Sequence, residues 1–217
     1  PKALVPLLGR PFMNWQVEGL VRQGYTRIHI AAGYRAPQLR DWAEQQPVPG
    51  ATITVSVEPE PLGTGGGLGF VRDQLPSTGT LFVMNGDSLL PRARLASLAS
   101  RLTSSPDLQC VLAAVEKTER GQYGTVDLDD ADRIRAFREK ATNDRGWVNG
   151  GIYCLRRSVI DTIPSGVPYS IEKDIFPALA TAGALGAVRT SGPLLDIGTP
   201  EGLERTAAFL SSNASTN

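Results

Sequence analysis

The sequence predicts an α/β domain on a mostly parallel sheet with helices on both faces, and three observations lead there. Helical and extended patterns alternate from the first residues onward. Leu81-Phe82-Val83-Met84 is an apolar run flanked by Gly79 and by the turn pair Asn85-Gly86, long enough for a buried strand and too short for a helix. A third signal is the Gly-rich turn at 63–67, which joins a strand to a helix and offers backbone N–H groups to an anion or nucleotide, or serves simply as a tight turn. The 217 residues suffice for one such domain with a real core.

Taken in order, Pro1-Lys2-Ala3-Leu4-Val5-Pro6-Leu7 is expected to be extended, because its bracketing prolines lack donors for a helix interior. Gly9-Arg10-Pro11 turns into a helix over 12–23, with Phe12, Trp15, Leu20 and Val21 toward one face and Gly24 closing it. Residues 27–32 read as a strand. It holds the single histidine, His29, which has no evident partner base or nucleophile and reads as a surface or edge residue. A short amphipathic helix at 37–45 carries Leu39 and Trp42, and 51–57 alternates as a β-branched strand. Beyond the acidic, proline-stiffened loop at 58–62, Thr64 is placed to cap a helix through 68–75. After the 81–84 strand the pattern gives a helix at 91–102, a strand at 107–115 and a hairpin of 123–128 with 134–137. Residues 148–155 form another strand, with Gly150 and Gly151 where a ligand could crowd the backbone. A helix at 171–182 has Ser170 as its N-cap, and Pro200 begins a last helix whose apolar face is Leu203, Ala207 and Leu210. The expected organisation is one domain over 1–210 and a flexible tail at 211–217.

Bulk properties exclude several classes. With 22 basic against 22 acidic residues, no global field draws the chain to nucleic acid or to an anionic membrane. Cys110 and Cys154 lie within apolar runs and read as small buried hydrophobes; a disulfide framework or zinc site needs more ligands at tighter spacing. No run approaches the ~20 apolar residues of a membrane span, and no signal peptide is visible, so a cytoplasmic protein is expected. Whether the chain forms a homo-oligomer is left open.

Two acids stand out. Asp87 falls just past the carboxyl end of the 81–84 strand, the edge at which open α/β sheets bind ligands. A hard-oxygen acid there suits Mg2+, which is held by one or two carboxylates and completed by substrate phosphates; a cap on the following turn is the alternative. Asp196, in Leu195-Asp196-Ile197-Gly198-Thr199-Pro200, sets a second carboxylate at a turn.

Pro1-Lys2, Gly9-Arg10-Pro11, residues 58–66, Asn85-Gly86-Asp87, Tyr123-Gly124 and residues 137–140, 149–153, 170–174 and 196–200 form an ordered set. From the first residue to about Leu210 this set resembles the sugar-1-phosphate nucleotidyltransferases, above all the heptose-1-phosphate and mannose-1-phosphate guanylyltransferase branch. The resemblance implies a Rossmann-like three-layer α/β sandwich with a mixed, mostly parallel sheet. It also implies nucleotidyl transfer from a nucleoside triphosphate to a sugar 1-phosphate, with release of pyrophosphate and Mg2+ as cofactor. By position, Asp87 and Asp196 are then the metal ligands, Lys2 lies beside the triphosphate and Lys140 on the sugar phosphate. Glu58, Gly63 and Thr64 fall on the nucleotide side, and Gly124, Glu139, Asn149 and Glu172 on the sugar hydroxyls. Glu58 favours guanine, since an acceptor-only carboxylate matches N1–H and the 2-amino group. Without the family, Glu139-Lys140 is a solvated charged pair and Glu58 a loop acid.

The family's phosphate-binding Gly-rich loop and its preceding strand are expected just before Pro1. Two other readings stand beside the enzyme. One is a nucleotide-sugar-binding regulatory subunit. The other is a glycosyltransferase of similar sheet, which typically sets two acids one residue apart for its metal, whereas Ser88 and Leu89 follow Asp87 here.

Overall fold

Helix and strand alternate along the chain in the computed structural model, which describes residues 1–45, 48–118, 123–138 and 145–214. A 3-10 turn (Lys2–Leu4) precedes a tight hairpin of β1 (Pro6–Leu7) and β2 (Arg10–Pro11). The expected extended start is therefore corrected. Pro1 and Pro6 flank the turn instead of interrupting it, and Leu8 and Gly9 both take positive φ, which suits a two-residue hairpin loop. There follow α1 (Phe12–Arg22), β3 (Arg27–Ala32), α2 (Ala36–Gln45), β4 (Thr52–Val57), α3 (Gly63–Val71), β5 (Thr80–Met84) and the two-residue β6 (Ser88–Leu89). The middle of the chain gives α4 (Leu95–Ser104), β7 (Cys110–Lys117), β8 (Thr125–Leu128), β9 (Ile134–Arg138) and β10 (Gly146–Arg156). The last part gives α5 (Arg157–Asp161), a π-helical turn (Ile171–Ile175), α6 (Phe176–Thr181), β11 (Leu185–Thr190), β12 (Leu195–Asp196) and α7 (Pro200–Ala214).

The chain divides into two compact units, one of Pro1–Val57, Asn85–Pro91 and Pro193–Asn217, the other of Glu58–Met84 and Arg92–Gly192. In the first, β3 and β4 pair in parallel, and Val17, Leu39 and Trp42 from α1 and α2 cover Ile28, Ile30, Ile53 and Val55. A second cluster in this unit gathers Leu7, Phe12 and Ile197 with Trp15, Leu89, Leu203, Ala207 and Leu210. Helix α1 serves both clusters, so it buries Phe12, Met13, Gln16 and Val17 and not the single stripe of Phe12, Trp15, Leu20 and Val21. His29 on β3 is half-buried, with the hydroxyls of Thr54 and Ser56 at 2.8 and 3.1 Å from its two ring nitrogens. Partner groups are thus close in space that were not close in sequence.

The second unit is a six-stranded mixed sheet in the order β11-β7-β10-β8-β9, with β5 also on β10. From the pairings, β5, β7, β8 and β11 run one way and β9 and β10 the other. One face packs on Ile160, Ile163, Ile171, Ile175 and Phe176, while α4 covers the other with Leu98 and Leu102. This is the α/β class with helices on both faces. Cys110 and Cys154 are buried free thiols; burial raises both, that of Cys154 to about 11.

Several boundaries differ from expectation for identifiable reasons. Helix α4 starts at Leu95, because Arg94 is still extended. The 171–182 helix begins as a π-turn, since Pro177 has no N–H to continue a regular ladder, but Ser170 caps it as expected, its hydroxyl accepting from Lys173 N–H at 3.2 Å. β11 is absent from the sequence reading. Its Gly186 breaks the apolar pattern, and the reason for that glycine is distant: a Cβ there would lie 2.7 Å from Leu108 Cδ1. Helix α7 carries helical structure to Ala214, four residues into the segment expected as tail. Among the described residues, no helix is long and apolar enough to cross a membrane.

Candidate active site

The first group of candidate residues belongs to the first unit. Asn85-Gly86-Asp87 leads into β6, and β6 pairs antiparallel with β12, placing Ser88 opposite Asp196 and Leu89 opposite Leu195. The Asp87 carbonyl accepts Ile197 N–H at 3.0 Å. Two acids that are distant in the chain thus stand on neighbouring main-chain segments. Asp196 is held in turn by its surroundings. Its Oδ1 accepts Gly198 N–H at 3.3 Å, and Arg205 Nη2 lies 4.0 Å from its Oδ2. A methyl group built on Gly198 would sit 3.6 Å from Asp196 Oδ1 and 4.0 Å from Lys2 Nζ, so glycine there leaves the carboxylate and the ammonium facing the same small space. Gly202, in the first turn of α7, is required sterically, because a Cβ would fall 2.4 Å from the Asp196 carbonyl oxygen. Its N–H donates to Thr199 Oγ1 at 3.0 Å, the N-cap that Pro200 at the helix start announces.

One residue of this site escaped the sequence reading. Gln16 is 5 % exposed on α1, and its amide donates to the carbonyls of Asn85 at 2.9 Å and Ser88 at 2.6 Å. It grips the turn on both sides of Asp87. The available signal was a polar residue at an apolar helix position, between Met13 and Val17.

The second group lies in the second unit. Asn149 stands at a bulge in β10, where Gly150, Gly151 and Ile152 oppose a single residue of β7 and Gly151 takes φ +72°. Its main-chain N–H donates to Gly124 O at 2.7 Å, its Oδ1 accepts Gly151 N–H at 2.9 Å, and its Nδ2 donates to the Tyr153 hydroxyl at 2.8 Å. Tyr153 in turn reaches Glu172 Oε1 at 3.4 Å. Glu172 Oε2 accepts the hydroxyls of Thr64 at 2.7 Å and Ser170 at 3.1 Å. Gly124, Asn149, Glu172 and Thr64, spread over more than a hundred residues, are therefore one hydrogen-bonded chain. Tyr153 was not singled out from sequence; it lies four residues after Asn149 on the same strand. Burial is the main force holding its phenol well above the usual pKa, and the Glu172 charge adds to it.

The Gly-rich turn follows the tight-turn reading, and only the Thr64 cap departs from expectation. Thr64 is inside α3 and does not cap it; its hydroxyl accepts Ile171 N–H at 3.0 Å while donating to Glu172. The N–H groups of Gly65 and Gly66 both go to the Tyr169 carbonyl, at 2.8 and 2.9 Å, so they are spent on protein and not held out to an anion. The glycines permit this approach: a Cβ on Gly66 would meet Val167 O at 2.6 Å, and one on Gly63, at φ +73°, would meet Tyr169 O at 2.9 Å. Glu58 is half-buried, its Oε2 accepting Leu62 N–H at 3.1 Å. Glu139 and Lys140 lie outside the described residues.

The donor set of the first unit fits Mg2+. Among the described residues no group of three or more His, Cys, Asp or Glu could form an all-protein cage. The Asp196 carboxylate near the Lys2 ammonium, with Asp87 on the adjoining segment, suits an ion that keeps several waters and takes its remaining ligands from phosphates.

Comparison with known proteins bears on the family. A family model described as nucleotidyl transferase matches residues 1–213. Mannose-1-phosphate guanyltransferase beta-B of Xenopus laevis is 34% identical over 205 residues, covering 93% of this chain and 56% of the relative. Mannose-1-phosphate guanylyltransferase of Mycobacterium tuberculosis is 33% identical over 214 residues, with 97% and 58% covered. The chain thus spans a little over half the length of these curated relatives. The crystal structure of HddC from Yersinia pseudotuberculosis complexed with GMP-PN superposes with a TM-score of 0.84 at 27% identity, covering 97% of this chain and 90% of that one.

Proposed function

Since the chain belongs to the nucleotidyl transferase family, we propose that it transfers GMP from GTP to a sugar 1-phosphate, forming a GDP-sugar and pyrophosphate. The observation that carries this reading is the β6–β12 pairing, which sets the turn residue Asp87 on the segment next to Asp196, with the Asp196 carboxylate and the Lys2 ammonium both close to Gly198. The names of the relatives, mannose-1-phosphate guanylyltransferases, support the sugar phosphate and the base, and the GMP-PN bound to HddC supports the base.

No protein nucleophile is needed. A phosphate oxygen of the sugar 1-phosphate attacks the α-phosphorus in line; one P–O bond forms, the bond to the bridging oxygen breaks, and its electron pair leaves with pyrophosphate. Positioning and charge stabilisation are therefore the whole task of the site. Asp87 and Asp196 would hold Mg2+, which when bound supplies charge neutralisation between the phosphates of the two substrates. Lys2 acts as a compact point charge beside the triphosphate, and Lys140 takes the same role on the sugar phosphate. Asn149, Glu172 and the Gly124 backbone hold sugar hydroxyls. Glu58, with one oxygen tied to Leu62 N–H, offers the other to guanine N1–H and the 2-amino group.

The test is turnover of the full-length protein with GTP, ATP, UTP and dTTP against a panel of sugar 1-phosphates. GTP is expected to lead ATP by up to about 10⁴-fold, because adenine lacks both donors. Glu58→Gln is expected to relax the choice toward the pyrimidines. A wild-type preference for UTP or dTTP overturns the guanine assignment, and no turnover with any pair overturns the reaction.

A further inference from the structure

We propose that Thr64, which its place in the Gly-rich turn assigns to the nucleotide side, is a positioning residue for the sugar: its hydroxyl presets the Glu172 carboxylate. The inference rests on the reading above that Glu172 holds a sugar hydroxyl. Both residues belong to the second unit.

The Thr64 hydroxyl is engaged on both sides. Ile171 N–H donates to its Oγ1 at 3.0 Å, so the hydroxyl's own proton goes to Glu172 Oε2 at 2.7 Å. Ser170 repeats the pattern, its hydroxyl accepting Lys173 N–H at 3.2 Å and donating to the same Oε2 at 3.1 Å. Main-chain N–H groups of the π-helical turn thus set the sense of both bonds, and both bonds end on one carboxylate oxygen. Without them, the long glutamate side chain would have to be ordered when the sugar arrives. Ordered beforehand, it meets the hydroxyl at no further entropic cost.

Thr64 has little freedom to leave this position. On either side of it, main-chain bonds fasten the start of α3 to the segment before Glu172. Tyr169 N–H donates to Leu62 O at 2.8 Å, and the N–H groups of Gly65 and Gly66 donate to Tyr169 O at 2.8 and 2.9 Å. The fit is close, since a Cβ on Gly65 would lie 3.0 Å from Tyr169 Cδ1. None of these bonds uses the Thr64 side chain. Removing its hydroxyl therefore leaves α3 docked and releases only Glu172 and the Ile171 N–H. A hydroxyl engaged on both sides is also not one held out to the nucleotide. The Thr64–Glu172 bond is exposed, so water competes for it and its effect on affinity is modest.

Thr64→Val keeps the volume and removes the hydroxyl, Thr64→Ala removes it with less bulk should the valine variant not fold, and Thr64→Ser keeps it. These would be compared with wild type and Glu172→Ala in steady-state kinetics and thermal melts of the full-length protein. The substrates are GTP and whichever of mannose, glucose and D-glycero-D-manno-heptose 1-phosphate is turned over fastest. Thr64→Val and Thr64→Ala are each expected to raise the KM for the sugar 1-phosphate about fivefold and leave the KM for GTP within about twofold, the scale of ordering one long side chain. Thr64→Ser should bring the sugar KM back to within about twofold of wild type. A rise in the KM for GTP alone, an equal rise in both, a lower melting temperature with both unchanged, or a serine variant as impaired as the valine one overturns the proposal. Should Glu172→Ala leave the sugar KM unchanged, or none of the three sugars be turned over, it is the underlying sugar-site reading that fails, and this inference with it. If Glu172→Ala raises the sugar KM and neither Thr64→Val nor Thr64→Ala does, this inference alone is lost.

Discussion

In the unit that carries Lys2, Asp87 and Asp196, main chain sets the acids in place: a two-residue strand pair, an Ile197 N–H on the Asp87 carbonyl and a buried Gln16 amide across the turn. In the unit that carries Asn149 and Glu172, side chains hold one another, through Thr64, Ser170 and Tyr153. The difference follows from chemistry. A carboxylate that is to meet a cation gains from being placed by its backbone, which leaves its oxygens for cationic and N–H partners such as Arg205 and Gly198 at Asp196. Groups that are to read hydroxyls must present a chosen donor or acceptor, so their other valences have to be filled. Asp87 and Glu172 are both acids, yet the second accepts three protein hydroxyls.

The sharpest way to break this contrast is to neutralise the acids. Asp87→Asn and Asp196→Asn are each expected to lower turnover at saturating Mg2+ by about 10³-fold, on the scale of removing one strong electrostatic contribution from an active site. The melting temperature should hold within a few degrees, because backbone pairing is untouched. An unfolded Asp87→Asn would move that residue from chemistry to scaffold.

Next in size is a pair of glycines, one from each region. Gly66→Ala forces a Cβ to 2.6 Å from Val167 O and 2.8 Å from Leu62 Cβ. Overpacking of this kind costs about 1–3 kcal/mol, and the melting temperature should fall by about 2–4 °C per kcal/mol. Gly86, beside Asp87, has nothing within 4 Å of its ideal Cβ, so Gly86→Ala should leave the melt nearly unchanged. Equal effects would mean that the glycines of α3 are not locked by the 167–169 segment.

Gln16→Met keeps the volume and removes the amide. Two carbonyls lose their donor at about 1 kcal/mol each, and the Mg2+ concentration for half-maximal turnover should rise a few-fold while the KM for the sugar 1-phosphate holds. A change in the sugar KM instead would undo the assignment of Gln16 to the role of the Asp87 turn.

The smallest effect expected is one of pH on His29. Burial holds its imidazole below the ordinary value of 6.5. The folded state therefore takes up the proton less readily than the unfolded chain. Its contribution to stability is complete above the ordinary value and declines as pH falls through it toward the folded-state value. Denaturant melts of wild type and His29→Gln between about pH 7 and pH 5 should show the shallower decline in the variant. Parallel declines would exclude His29 as a source of the slope.

What the sequence determined alone was local and periodic. The alternation of elements, the β-branched strand at 52–57, the Leu39–Trp42 face of α2, the buried cysteines and the Ser170 cap each depend on residues a few positions apart, where sterics and hydrogen bonding act without the rest of the chain. Asp87 and Asp196 were legible as acids at turns for the same reason. That they stand on neighbouring segments is a property of β6 and β12, two residues each, too short to leave a periodic signal. The glycines of α3 read either as a cradle for an anion or as a tight turn, and tertiary structure gave the N–H groups of Gly65 and Gly66 to Tyr169, about a hundred residues away. Gln16 and Tyr153 were hidden for a related reason. A buried polar side chain takes its meaning from the partner that satisfies it, and Asn85, Ser88 and Glu172 reach them only through the fold.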